Sequence, residues 1–416
     1  RDSTGDWSSD VCSSDLWLVN TLVDKVKKMV PAFSLPQAVP FKSVLKLGRG
    51  HHLQGVKVSS DDIAVLQYTG GTTGLPKGAM LTHGNLVANM QQVYACMSQH
   101  GPDGSQLFKQ GSEVMIAPLP LYHIYAFTAN CMCMMVSGNH NVLITNPRDI
   151  GGFIKELKKW RFSALLGLNT LFVALMEHPD FKSLDFSNLK LTNSGGTALV
   201  KATAERWQQL TGCRIVEGYG LTETSPVACT NPYGDQARLG TVGIPVPGTA
   251  LKIIDDNGVE LAIGERGELC IQGPQVMKGY WQRPEATDEV LDADGWLKTG
   301  DIAVIDPDGF VRIVDRKKDM IIVSGFNVYP NEIEDVVMAH PQVASCAVIG
   351  VPDDRSGEAV KLFVVARESG VSVEELKAYC KENFTAYKVP KHIVLRDSLP
   401  MTPVGKILRR ELRDIA

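Results

Sequence analysis

The stretch QYTGGTTGLPKGA, residues 67–79, follows directly on the apolar run IAVL at residues 63–66. That run has the length and composition of a buried strand. The stretch contains four glycines, and because glycine has no Cβ, such a loop lets backbone N–H groups converge on an anion. Lys77 adds a mobile positive charge, and three threonines add hydroxyl donors. The pattern therefore predicts a phosphate-binding loop.

Two alternatives for this loop carry less weight. A Walker A loop requires Ser or Thr directly after its lysine, whereas Gly78 follows Lys77 here and Pro76 precedes it. A plain surface turn would account for the glycines, but the combination of hydroxyls, a lysine and a preceding strand disfavours it.

The composition and cysteine pattern narrow the class of protein. A chain of 416 residues should hold roughly two or three domains, and 44% hydrophobic with 21% charged residues is typical of a soluble globular protein. The formal net charge of −4 disfavours nucleic acid as a partner. No C-x-x-C pair occurs among the nine cysteines. Cys131 and Cys133 match no common zinc spacing, so we expect buried free thiols and a cytoplasmic protein.

No stretch has the pattern of a membrane span. The apolar segment at residues 124–136 is too short to cross a bilayer, and no signal peptide is visible. Any work on membrane lipids would therefore be peripheral, on the inner face of the cytoplasmic membrane.

The periodicity predicts an α/β fold. Strand and helix patterns alternate between residues 82 and 216, which favours a parallel sheet covered by helices on both faces, with ligands at the carboxyl ends of its strands. From about residue 240 strands and turns dominate, and a smaller α+β unit follows Asp315.

The stretch YTGGTTGLPKGAM, residues 68–80, resembles the phosphate loop of the acyl-adenylate-forming (AMP-binding) superfamily. Within it, the chain is most similar to bacterial long-chain fatty acyl-CoA ligases, from about Trp17 to the C-terminus. The resemblance implies a large domain with a helix-covered, mostly parallel sheet and a β-rich subdomain, over residues 17–315. A small, mobile α+β C-terminal domain is expected over residues 316–416.

The N-terminal region departs from this family. Residues 1–16, RDSTGDWSSDVCSSDL, resemble nothing in it, and we expect a non-native segment or a disordered tail. Family members carry a substantial portion ahead of Trp17. We therefore expect an N-terminally truncated chain that lacks part of the sheet and of the substrate tunnel.

The resemblance implies ATP and coenzyme A (CoA) as cosubstrates and Mg²⁺ as the metal. It assigns the triphosphate to Thr69, Gly70, Gly71, Thr72, Thr73, Gly74 and Lys77. In EGYGLTET, residues 217–224, it assigns Glu223 to Mg²⁺ and Thr222 to the α-phosphate. It places Tyr219, between Gly218 and Gly220, on the adenine ring. A carboxylate is the hard oxygen ligand that Mg²⁺ prefers, and an aromatic face suits a purine.

Further motifs complete the implied nucleotide site. Gly195 and Gly196 are assigned to adenine, although on their own they fit a turn into the next helix equally well. Asp301 is assigned to both ribose hydroxyls, because a carboxylate can accept two O–H donors. Arg316 is assigned to the ribose or phosphates, and Lys318 to a hinge. Without the resemblance, this charge cluster would be interpreted as a solvated turn.

The resemblance implies that the C-terminal unit takes part in both half-reactions. Lys406, in PVGKILRR at residues 403–410, would bridge the substrate carboxylate and the α-phosphate. Gly325 would lie beside the pantetheine arm of CoA, and the small domain would rotate between the two steps. On the residues alone, Lys406 is a solvated charge and Gly325 a strand-end glycine.

The segment PLPLYHIYAF, residues 118–127, resembles the lining of the acyl pocket. Amino-acid-activating relatives place an aspartate in this region, whereas no Asp or Glu lies between Pro118 and Thr145. An uncharged acyl chain is therefore expected. His123 fits a pocket role and a structural role equally well.

The favoured function is ATP-dependent ligation of a long-chain fatty acid to CoA through an acyl-adenylate, with release of pyrophosphate and AMP. The alternatives are a fatty acyl-AMP ligase that passes its acyl group to a carrier protein, and an inactive fragment of such an enzyme. Peripheral contact with membrane lipid and a homodimer stay open.

Overall fold

The computed structural model describes residues 18, 20–28, 30, 34–69, 76–98, 106, 108–367, 370–402 and 405–415. Contacts divide the chain into two units, Arg1–Lys57 and Val58–Ala416. The described part of the first unit contains a π-helical turn at Leu22–Val26 and helix α1 at Phe41–Gly48. The tail expected at residues 1–16 lies outside the described residues.

The second unit begins with a hairpin around the phosphate-loop stretch. Strands β1 (Ile63–Tyr68) and β2 (Gly78–Thr82) pair antiparallel in a two-stranded sheet. The sequence pattern predicts β1 but not β2. The expectation that β1 is buried is wrong, because Ile63, Leu66 and Tyr68 are exposed. β1 has a single neighbouring strand among the described residues, so its outward side chains face solvent.

Helix α2 (His83–Met97) follows β2 directly. The Thr82 hydroxyl accepts a hydrogen bond from the Asn85 N–H, and the Asn85 side chain accepts one from the Thr82 N–H, which caps the helix reciprocally. The buried face includes Asn89, whose side-chain amide bonds both the carbonyl and the N–H of Val227. α2 is thereby fixed to the start of a strand of the central sheet.

The central sheet has seven strands in the order β4-β3-β5-β6-β7-β8-β9. The first five are parallel and the last two antiparallel, which confirms the expected mostly parallel sheet. Its strands are β3 (Val114–Ala117), β4 (His140–Leu143), β5 (Ala164–Gly167), β6 (Leu191–Ser194), β7 (Ile215–Gly220), β8 (Val227–Thr230) and β9 (Ile244–Pro245).

Helices cover both faces of this sheet. They are α3, which is α-helical at Ile124–Ala126 and Met134–Val136 and π-helical at Phe127–Cys133, α4 (Ile150–Leu157), α5 (Asn169–Glu177) and α6 (Lys201–Thr211). Successive residues of a strand point to opposite faces. Leu165 accordingly packs with Phe172 and Trp207 in one core cluster, whereas Leu166 packs with Met134 in another.

A β-rich part follows the central sheet. Strands β10 (Ala250–Ile254), β11 (Arg266–Gln272), β12 (Leu297–Ile305) and β13 (Val311–Arg316) form an antiparallel sheet in chain order, and α7 spans Pro284–Asp288. This arrangement confirms the predicted β-rich subdomain.

The C-terminal part has its own sheet and core. The order is β15-β14-β17-β16, with β18 parallel to β17. Its strands are β14 (Ile321–Val323), β15 (Phe326–Val328), β16 (Val343–Asp353), β17 (Gly357–Ala366) and β18 (His392–Leu395), and its helices are α8 (Pro330–Met338), α9 (Val373–Asn383) and α10 (Arg409–Asp414). The boundary between residues 315 and 316 stays a prediction.

Short 3₁₀ turns lie at Pro179–Ser183, Thr222–Thr224, Gly234–Gln236, Lys317–Asp319 and Ala386–Lys388. Within the described residues, no helix combines the length and apolar composition that crossing a membrane requires.

Candidate active site

Backbone hydrogen bonds fix both ends of the phosphate-loop stretch. The Thr69 N–H donates to the Lys77 carbonyl at 2.9 Å, and the Met80 N–H donates to the Gly279 carbonyl at 2.8 Å. The second bond places the segment that contains Tyr280 beside β2. The loop residues Gly70, Gly71, Thr72, Thr73 and Gly74 lie outside the described residues, so their binding of phosphate stays a prediction.

Tyr280 links two of the predicted site residues. The Lys77 Nζ lies 4.9 Å from the centre of the Tyr280 ring, and the Tyr280 hydroxyl donates a hydrogen bond to Glu223 Oε1 at 2.6 Å. Burial, and then the charge of Glu223, raises the pKa of Tyr280. The hydroxyl therefore stays protonated and holds the carboxylate. The sequence analysis misses Tyr280, because nothing in its neighbouring residues marks a motif.

The EGYG stretch lies where the central sheet changes from parallel to antiparallel pairing. Glu217 of β7 pairs parallel with Ser194, whereas Gly218 pairs antiparallel with Thr230. β7 therefore continues through this change of pairing to Gly220. A Cβ on Gly220 would lie 1.8 Å from the Pro226 carbonyl oxygen. Only glycine permits this approach of the backbone.

Thr222 and Glu223 lie half-buried in the 3₁₀ turn that follows β7. The Leu221 N–H donates to the Thr224 hydroxyl at 2.9 Å, and the Ser225 hydroxyl donates to the Gln275 carbonyl at 2.9 Å. Bonds to residues inside and outside the turn therefore fix the turn from which the two predicted catalytic side chains project.

The turn after β6 contacts the acyl segment. The Tyr125 hydroxyl hydrogen-bonds the side-chain oxygen of Asn193, and a Cβ on Gly195 would lie 3.1 Å from the Tyr125 ring. Gly196 has a φ of 82°, a conformation that favours glycine. Tyr125 is a second contact that the sequence analysis misses, and it joins the expected adenine turn to the expected acyl pocket.

Asp301 connects three of the predicted residues. Its Oδ2 accepts a hydrogen bond from the Tyr219 hydroxyl at 2.6 Å, and its Oδ1 lies 3.3 Å from Arg316 Nε. Burial, followed by the charge of Asp301, raises the pKa of Tyr219. A carboxylate has about four lone-pair sites, so Asp301 retains capacity for ribose hydroxyls beside these two donors.

A cavity of about 350 Å³ adjoins this network. It is lined by Thr299, Gly300, Arg316, Lys317 and Lys318. The volume is within the range of small-molecule sites. Its cations include Arg316 and Lys317, which are paired with the carboxylates of Asp301 and Glu268 respectively.

Lys406 lies in a tight turn of the C-terminal part. Met401 and Ile407 form an antiparallel bridge around it, and the Lys406 N–H donates to the Thr402 hydroxyl at 3.0 Å. A Cβ on Gly405 would lie 3.1 Å from Thr170 Oγ1 of α5. The turn therefore contacts the helix that follows β5 of the central sheet.

Charges of the nucleotide network act on Lys406. Burial, and then the positive charge of Arg316, lowers the pKa of Lys406 to about 8, whereas Asp301 opposes this effect. Burial, and then the charge of Lys406, lowers the pKa of His123. In the structure, the charge of this distant lysine thus interacts with both the predicted ribose residues and the acyl segment.

Gly325 is not brought to this cluster. Ser324 and Gly325 form the turn between β14 and β15, with φ of 51° and 84°. Gly325 is exposed, and no described atom outside its immediate chain neighbours lies within 4 Å of the position that its Cβ would take.

The acyl segment is partly buried. Ile124 and Ala126 are buried, and Tyr122 is exposed. His123 Nδ1 accepts a hydrogen bond from the Tyr125 N–H at 3.3 Å and caps α3. The structure therefore gives His123 a structural role, whereas its role in a pocket stays a prediction.

The residues present fit a metal ion that is bound jointly by the protein and the phosphates of a nucleotide. In the part of the chain that the structure describes, no group of three or more His, Cys, Asp or Glu side chains could hold a metal ion. Mg²⁺ is usually bound by one or two carboxylates together with substrate phosphates and water. Glu223, oriented by Tyr280, supplies one such carboxylate.

Two family models match the chain. Residues 13–281 match the AMP-binding enzyme model, and residues 332–406 match the model of the AMP-binding enzyme C-terminal domain. A long-chain-fatty-acid–CoA ligase of Salmonella typhimurium is 54% identical over 401 residues, which cover 96% of this chain and 70% of that enzyme.

The fold is similar to that of MatB from Rhodopseudomonas palustris. The ATP-bound crystal structure is 31% identical, covers 90% of this chain and 72% of that one, and has a TM-score of 0.79. The apo structure of the same protein has the same identity and coverage and a TM-score of 0.70. The chain thus superposes better on the ATP-bound form.

Proposed function

The chain belongs to the AMP-binding enzyme family, and from this premise we propose that it joins a long-chain fatty acid to CoA through an acyl-adenylate. In the first half-reaction the acid and ATP give acyl-AMP and pyrophosphate. In the second, the CoA thiol displaces AMP to give the thioester.

One observation carries the proposal. The turn of the C-terminal Lys406 packs against Thr170 of α5. There Asp301 and Arg316 act on the charge of the lysine, and that charge acts on His123 of the acyl segment. A cation at this junction suits the first half-reaction, because negative charge moves there between the carboxylate and the α-phosphate.

The other predicted residues are proposed to bind and orient the nucleotide. Asp301 would accept the ribose hydroxyls, and Tyr219, which Asp301 holds by its hydroxyl, would stack on adenine. Thr222 would donate to the α-phosphate, and Lys77 would neutralise the triphosphate. Glu223 would hold Mg²⁺, which when bound neutralises phosphate charge.

The acid is proposed from the acyl segment and the relatives. The segment from residue 118 to residue 145 contains no carboxylate to pair with a substrate ammonium. The Salmonella relative carries the name long-chain-fatty-acid–CoA ligase. Peripheral contact with membrane lipid and a homodimer are further proposals. Vesicle sedimentation and light scattering test them, and a monomer that stays in the supernatant would contradict both.

The proposed function predicts an activity that requires a metal ion and proceeds in two steps. With palmitate, ATP and Mg²⁺, pyrophosphate should be released, and added CoA should give palmitoyl-CoA. Excess EDTA should stop the release, and Mg²⁺ should restore it. Pyrophosphate release without a thioester, together with transfer to an acyl carrier protein, would favour the carrier-protein alternative. No release under any condition would contradict the proposal.

The lowered pKa of Lys406 predicts a pH limit for adenylation. Because the protonated ammonium is the active form, activity is retained below a pKa of about 8 and lost as the pH rises through it. Pyrophosphate release should fall to about a tenth between pH 7 and pH 9. In Lys406→Arg this falling limb of the pH profile should disappear, since arginine stays protonated. A limb that persists in Lys406→Arg would assign the titration to another group.

A further inference from the structure

Arg409 is the first residue of α10 and is anchored by side chains of the C-terminal part. Its Nη2 lies 2.9 Å from Asn331 Oδ1 and 2.8 Å from each carboxylate oxygen of Glu334. Its Nη1 lies 3.5 Å from Asp319 Oδ2, and the side chain is 18% exposed. A largely buried guanidinium with several charge-assisted bonds holds its backbone in one place.

The partners of Arg409 are themselves fixed. The Asn331 N–H donates to Asp315 Oδ2 at 2.7 Å. Asp319 accepts a hydrogen bond from Arg413 at 2.7 Å. Burial opposes the ionisation of Asp319, but the bond from Arg413 and the charge of Arg409 hold its pKa below the ordinary value. Arg409 and its partners Asn331, Glu334 and Asp319 form what we call the Arg409 anchor. The anchor joins α10 to α8 and to the turn that follows β13.

The anchor continues directly into the Lys406 turn. Only Ile407 and Leu408 separate Lys406 from Arg409. Ile407 bridges Met401, and the Leu408 N–H donates to the Pro400 carbonyl at 2.9 Å. The turn is thus a short closed loop, and one of its ends is held by the Arg409 contacts.

We propose that Arg409 is a positioning residue that holds Lys406 at the adenylate-forming site and acts on the reaction through Lys406. The inference rests on the proposed role of Lys406 in the first half-reaction. Loss of the guanidinium leaves Glu334 without its cation, whereas Asp319 keeps Arg413. The side-chain contacts that hold the first residue of α10 beside the Lys406 turn are then lost. The contacts of Arg409 lie on α8 and on the turn before β14, not on the β14–β15 hairpin that carries Gly325, so the second half-reaction should be spared.

The test compares Arg409→Met, Arg409→Lys and the control Arg410→Met. Arg410 follows Arg409 in the same helix and is exposed. Arg409→Met should lower kcat for pyrophosphate release by about tenfold to a hundredfold, as a misplaced catalytic group does. KM for ATP, and thioester formation from supplied palmitoyl-AMP, should change by less than about twofold on the same reasoning. Arg409→Lys should have an intermediate kcat, because an ammonium lacks the planar, forked N–H donors of a guanidinium. Arg410→Met should match the parent.

A double-mutant cycle separates positioning from a general structural role. If Arg409 acts through Lys406, Arg409→Met should have almost no further effect in a Lys406→Ala chain. If the two losses multiply instead, the inference is wrong. It is also wrong if Arg409→Met lowers both half-reactions equally. If Arg409→Met does not fold, Glu334→Gln provides the same comparison. If Lys406→Ala itself retains full adenylation, the role of Lys406 and this inference both fail while the proposed function stands; an absence of pyrophosphate release from the parent protein would instead contradict the proposed function.

The pH profile gives an independent measurement. The charged or titratable groups that act on Lys406 are Arg316, Lys318, Asp301, His123 and Arg409. Arg409→Met removes one positive charge and leaves the carboxylates of Glu334 and Asp319. The falling limb of adenylation should therefore move to higher pH, whereas a loss of stability alone would leave the limb where it is.

Discussion

Lys406→Ala is expected to reduce acyl-adenylate formation by about a hundredfold to a thousandfold, the usual effect of removing a preorganised donor from a site of developing charge. The reason is the position of the ammonium within the electrostatic reach of Asp301, Arg316 and His123. Pyrophosphate release from ATP and palmitate checks this result. Thioester formation from supplied palmitoyl-AMP should change little, because the acyl–phosphate bond is already formed and the proposed rotation of the C-terminal domain takes Lys406 away from the site in that step.

Gly325 provides the reciprocal variant. Its φ of 84° strains most side chains, but asparagine tolerates this region better than other residues. Gly325→Asn should therefore add bulk with little backbone strain. We expect it to slow thioester formation while adenylation continues. If both variants lost both half-reactions equally without unfolding, the division of labour between Lys406 and Gly325 would be refuted.

Gly220→Ala is expected to have the second large effect. The added methyl group would lie 1.8 Å from the Pro226 carbonyl oxygen, so the backbone between β7 and β8 has to move. Overpacking of this kind costs about 1 to 3 kcal/mol or more. The turn that carries Thr222 and Glu223 would shift with it, and a displacement of about 1 Å can cost about a hundredfold in rate. Both the melting temperature and pyrophosphate release should fall.

Gly218→Ala is the matched control for stability. A Cβ there would approach the Cys229 carbonyl oxygen only to 3.5 Å, an ordinary contact. Its melting temperature should stay close to that of the parent. Equal melting temperatures for Gly218→Ala and Gly220→Ala would show that the close approach to Pro226 does not limit this position.

The sequence determined the fold class and the family. The alternation of strand and helix patterns predicted the mostly parallel sheet, because the periods of buried residues in strands and helices differ. The motifs around Lys77, Glu223 and Lys406 identified the AMP-binding family, which the family models confirm. The roles of the individual residues stay predictions.

Only the tertiary structure decided which of these motifs meet. Lys77 and Glu223 contact the same Tyr280 side chain, at its ring and its hydroxyl respectively, and Tyr219 and Arg316 contact the same Asp301 carboxylate. Neither set of contacts follows from local sequence, because Tyr280 and Glu223, like Tyr219 and Asp301, come from distant segments. The contact of Arg316 with Asp301 depends on the pairing register of β12 and β13. The exposed β1, the unexpected β2 and the Arg409 anchor have the same origin. A residue's own neighbours fix its local conformation, whereas burial and pairing depend on which distant segment packs against it.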